Sequence, residues 1–71
     1  MSVQETPLEM ATRHVAEAKQ RLVRQETLIV ELELGDATSL VSDARALLGR
    51  MQDFLRKCQA HLDYENDFPA R

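Results

Sequence analysis

The chain has 71 residues, with nine Lys and Arg against twelve Asp and Glu and a formal net charge of −3. Apolar residues make up 44% and charged residues 30%, which excludes an acidic disordered tail; no run approaches the ~20 apolar residues of a membrane span. A lone Cys excludes an internal disulfide, and a chain this short buries only roughly 60% of its unfolded surface, so a second copy is expected to complete the core. No signal peptide is read at the start, and a cytoplasmic location is the expectation.

Residues 1–6 read as an N-terminal tail. Thr6-Pro7-Leu8-Glu9 is a helix start: Thr6 caps, Pro7 occupies the first helical position where its missing N–H costs nothing, and Glu9 closes a capping box. A first helix is predicted over residues 7–34. Gly35 reads as the left-handed residue that ends it and Asp36 as the N-cap of a second helix, over residues 37–64, with a C-terminal tail at 65–71. A connection this short forces the helices to lie side by side and antiparallel. The predicted fold is all-α, a single antiparallel helical hairpin.

Both helices carry heptads. Leu8, Ala11, Val15, Ala18, Leu22, Gln25, Ile29 and Leu32 alternate steps of three and four in the first, as do Leu40, Ala44, Leu47, Met51, Phe54, Cys58 and His61 in the second. Folding one series on the other sets Leu32 by Leu40, Ile29 by Ala44, Leu22 by Met51, Ala18 by Phe54 and Val15 by Cys58. The predicted hairpin core is therefore Leu22, Ile29, Leu32, Leu40, Leu47 and Phe54. A further row, Val41, Leu48, Leu55 and Leu62, repeats every seven residues, and one hairpin has no second seam in which to hide it. That row is the expected oligomer interface, closing a homodimeric four-helix bundle with coiled-coil packing. Gln25, a polar seam residue, is expected to pair with its symmetry mate or to reach the edge. Gly49, a mid-helix glycine, fits either close approach of another helix or simple tolerance of the cost.

Few residues point to chemistry. Cys58 and His61 share a helix face, with His14 across the hairpin and Glu17 or Glu65 as a further oxygen, the outline of a metal site. Cys58 on an apolar seam reads more simply as a small inert hydrophobe, so neither a metal nor another cofactor is expected. No phosphate loop, nucleophile elbow or paired-cysteine motif is present, and the chain is read as non-enzymatic. Arg13, Arg21, Arg24, Arg50 and Lys57 fall in a basic middle band, the possible contacts of an RNA-binding regulator. The competing reading is a solvated bundle surface with pairs such as Glu17–Arg21 and Asp53–Lys57. The net negative charge favours that surface over nucleic acid.

The run His14-Val15-Ala16-Glu17, then Arg21, Arg24-Gln25, Leu28-Ile29, Glu31-Leu32-Glu33 and Gly35-Asp36, followed by Ala44, Leu47-Leu48 and His61, resembles a group of short uncharacterised helical-hairpin proteins of rhizobial and other alphaproteobacteria. The resemblance spans residues 12–62 and implies the hairpin fold, with no activity or cofactor to carry over. Members of that group often have a longer turn and a second histidine where this chain has Lys57. The architecture is also similar to the dimeric RNA-binding hairpin Rop, although the first helix here lacks an exposed aromatic. The function expected is homo-oligomerisation and protein–protein contact, with nucleic-acid binding as the alternative.

Overall fold

The computed structural model describes residues 4–67. They form two helices, α1 over Pro7–Leu34 and α2 over Thr38–Asp67, packed side by side. The start of α1 is built as its sequence demands. The Thr6 side chain accepts from the Glu9 amide at 3.1 Å, and the Thr6 amide donates to the Glu9 carboxylate at 2.9 Å. Proline-free stretches rich in Ala, Leu, Arg, Gln and Glu then sustain 28 and 30 helical residues respectively.

The turn departs from expectation by one residue. Gly35 sits at φ −93°, and Asp36, at φ 63°, takes the left-handed position. The Ala37 amide donates to the Leu32 carbonyl at 3.1 Å, the six-to-one bond that closes a Schellman turn around Asp36. An aspartate tolerates this backbone better than most side chains because its short polar group finds local partners. Held there, Asp36 is not the N-cap, and α2 begins at Thr38 instead of residue 37. At its other end α2 runs past Tyr64 to Asp67, so residues 65–67 of the expected tail are helical; residues 68–71, like residues 1–3 of the N-terminal tail, lie outside the described residues.

The molecule is a slab of 53 × 28 × 12 Å with a radius of gyration of 16.2 Å, against ~11 Å for a compact globule of this length. A thickness of 12 Å is one helix diameter, with side chains. Folded proteins ordinarily bury their apolar faces between two packed layers; here there is one layer, with two broad faces. The buried residues accordingly form a thin line: Ala11, Val15, Ala18, Gln25 and Ile29 from α1, with Val41, Ala44 and Cys58 from α2. Among the described residues no large side chain is fully enclosed.

On α1 this line is the predicted seam. On α2 it is not. Val41 is buried, Leu48, Leu55 and Leu62 are half-buried, and Ile29, Val41 and Ala44 make a cluster on which Leu32 and Leu48 pack. Leu40, Leu47 and Phe54, expected in the core, are 53%, 43% and 51% exposed. The two α2 rows have exchanged places. Ala44, Met51 and Cys58 belong to either pairing, so the exchange is a rotation of α2 by roughly half of the ~100° that one residue subtends. The composition of the rows supplies the reason. Turning Val41, Leu48, Leu55 and Leu62 inward places a large aliphatic on every second turn down to the open end, whereas the other row ends in His61 and sets the bulk of Phe54 against α1. Gln25 locks the choice by donating from Nε2 to the Ala44 carbonyl at 2.8 Å in the buried seam; it therefore satisfies itself within the hairpin and needs no symmetry mate.

Candidate interaction face

Rotation of α2 makes the two faces of the slab different. One face is bridged across the helix pair: the Arg45 guanidinium pairs with the Glu33 carboxylate, beside a recess of 440 Å³ lined by Thr38, Val41 and Ser42. The opposite face is open. A shallow groove of 210 Å³ runs between the helices there, with Ala18, Leu47, Met51 and Phe54 forming its floor and Arg21 and Arg50 its rims. It continues towards the turn over Leu28, Leu32, Leu40 and Asp43, and towards the open end past His14 and Glu17. Leu28, Leu40, Leu47 and Phe54 thus stand about half exposed on one side of the molecule.

The polar residues divide along the same line. Arg13 is held by the tail: its guanidinium meets both oxygens of Glu5 at 2.9 Å and reaches Glu17 at 3.4 Å. The bond from Arg13 holds the Glu5 carboxyl below its ordinary range, and the same contact raises the guanidinium. Glu17 therefore serves Arg13 instead of Arg21, and Asp53 pairs with Arg56 instead of Lys57. Arg21 and Arg50 make no ion pair among the described residues, although both flank the groove. Arg24 lies elsewhere on α1, beside Lys19, Gln20 and Val23, and Lys57 is exposed on α2. Of the five basic residues considered for nucleic acid, the structure brings Arg21 and Arg50 together and not the others.

The Cys and His residues are likewise dispersed. Cys58 is a buried free thiol in the seam; His61 is exposed and lies 3.2 Å from Glu65; His14 borders the groove near Glu17. Among the described residues no three His, Cys, Asp or Glu side chains converge as metal ligands. Among the described residues no helix is long and apolar enough to cross a membrane. An added Cβ at Gly49 meets nothing within 4 Å, so no close approach among the described residues explains that glycine.

The sequence signals a surplus apolar row but not which row is surplus. The contrast of His61 with Leu62 at the row ends carries that choice. Asp43 and Leu28, both on the open face, lie off the heptad seams, Leu28 in a weaker apolar flank of the first helix and Asp43 among the acids of the turn end. Comparison with protein-family models, curated proteins and solved structures gives no match for this chain.

Proposed function

We propose that this chain is a non-enzymatic association module whose open face binds a second copy of itself, two hairpins closing into a four-helix bundle. The observation that carries the reading is the face of Leu28, Leu40, Leu47 and Phe54, left about half exposed by a hairpin in which no large side chain among the described residues is fully enclosed. Covering the exposed half of these four contributes roughly 3–6 kcal/mol per protomer at the usual value for large apolar side chains. The broad face measures 53 × 28 Å, and a little over half of that outline reaches the ~800 Å² per partner of a standard protein interface. The second layer that a single slab lacks is then supplied by the partner.

In this reading the interface is Leu40, Leu47 and Phe54 with Leu28; Val41, Leu48, Leu55 and Leu62 hold the hairpin itself. A regulatory role through protein contact in the cytoplasm is the setting that fits, and the buried thiol of Cys58 suits a reducing compartment. Sedimentation equilibrium tests the reading. At micromolar concentration the wild type is expected at twice its chain mass, and Phe54→Asp at chain mass with helical circular dichroism retained. A wild type at chain mass refutes it.

A further inference from the structure

The open face carries charge as well as apolar area, and the order of the charges along it specifies how two copies meet. Leu40, Leu47 and Phe54 succeed one another every seven residues, ~10.5 Å apart along α2. Beside them, at the same interval, stand Asp43 and Arg50, so the turn half of the face is acidic and the middle basic. Arg21 joins Arg50 at the middle of the groove, whereas Leu28 sits with Leu40 and Asp43 towards the turn.

Two hairpins stacked face to face are related by a two-fold axis lying in the interface, with two possible directions. An axis along the helices puts both turns at one end and sets each level of the groove on the same level of its partner. The level of Arg21 and Arg50 then meets itself, four guanidinium groups together, with Glu17 of the adjoining recess already paired to Arg13, and Asp43 meets the level that holds Asp43. An axis across the helices puts the turns at opposite ends and lays α2 on α2 in reverse. Leu47 lies midway between Leu40 and Phe54, and the midpoint of Asp43 and Arg50 falls half a residue from Leu47, ~0.75 Å along the helix. One axis therefore serves both sets of contacts.

Resting on the second-copy reading above, we infer that the dimer is antiparallel, with its two-fold axis crossing α2 at Leu47. Leu47 packs on its own symmetry mate, Leu40 on Phe54 of the partner subunit, and Asp43 pairs with Arg50 of the partner subunit. Leu28 lies over the aliphatic stem of Arg21 of the partner subunit, which leaves that guanidinium free at the rim. The arrangement brings the acid of one turn to the unpaired base of the other groove, and it is made twice.

Disulfide trapping in the full chain with Cys58→Ala reads the geometry directly. Leu47→Cys is expected to cross-link to itself under mild oxidation, and Leu40→Cys alone is not, because its symmetry mate lies ~21 Å away along the helix. An equimolar mixture of Leu40→Cys and Phe54→Cys chains is expected to yield the mixed covalent dimer. A dimeric protein in which Leu47→Cys fails to cross-link overturns the antiparallel axis while leaving the second-copy reading standing; a monomeric wild type removes both. Charge reversal gives a readout that needs no cysteine. Asp43→Arg and Arg50→Asp are each expected to raise the dimer dissociation constant about tenfold, and the double variant to recover most of it. Additive losses in the double variant contradict the pairing.

Discussion

The two broad faces of the slab are built from the same two helices and behave as opposites. On one, Glu33 and Arg45 pair across the helices next to buried Val41; on the other, Leu40, Leu47 and Phe54 meet water, between Arg21 and Arg50, which make no ion pair among the described residues. The difference arises from a rotation of α2 smaller than one residue. A hairpin with two apolar rows on one helix always has one to spare, and the rotation decides which surface is offered to a partner.

The largest expected effect separates the seam from the open face. Ile29→Asp puts an unpaired charge in the cluster with Val41 and Ala44, at a cost of about 4 kcal/mol or more, a large part of the stability of any small domain. Circular dichroism is expected to show an unfolded chain. Leu47→Asp, seven-residue neighbour of Phe54 on the open face, is expected to keep its helices and lose the concentration dependence of its melting temperature. Should the two substitutions unfold the chain alike, the distinction between the faces collapses.

Smaller effects sharpen the comparison at single contacts. Gln25→Ala removes the bond to the Ala44 carbonyl and some packing, and urea denaturation is expected to register a loss of about 1–2 kcal/mol; Gln25→Leu, which removes the polar group and refills the space, is expected to stay within about 0.5 kcal/mol of wild type. Gly49→Ala meets open space and is expected to stabilise by about 0.5–1 kcal/mol, seen as a melting temperature raised by several degrees. Asp36→Gly relieves a left-handed backbone and is expected to stabilise by about 0.5 kcal/mol, part of the relief being offset by the greater freedom of glycine in the unfolded chain.

Much of this architecture is legible in the residues alone. Thr6, Pro7 and Glu9 specify where α1 starts through chemistry confined to four positions, and the seam from Ala11 to Leu32 has no rival row of equal strength on its own helix. The facing side of α2 was not legible in the same way. Ala44, Met51 and Cys58 satisfy either pairing, and Leu40, Leu47 and Phe54 are as apolar as Val41, Leu48 and Leu55, so periodicity is silent between them. The decision comes from the shape of the opposing helix and from the last turn, where Leu62 competes with His61; these are tertiary terms that no single helix contains. The left-handed residue is hidden from the sequence for a related reason. Glycine is the default for that backbone, but the spacing of the Ala37–Leu32 bond assigns it to Asp36.

The position of the Ile29, Val41 and Ala44 cluster bears on the order in which the hairpin folds. These contacts close a loop of 12 to 15 residues around the turn, whereas the far end of the seam, at the level of Val15 and Cys58, closes one of 43. The extra chain entropy of the longer closure is only ~1 kcal/mol, yet it must be spent before the distant contacts return anything. With this buried cluster beside its turn, the chain has a natural starting point, from which the two helices can zip together towards the termini, each new pair closing a loop already shortened by the last.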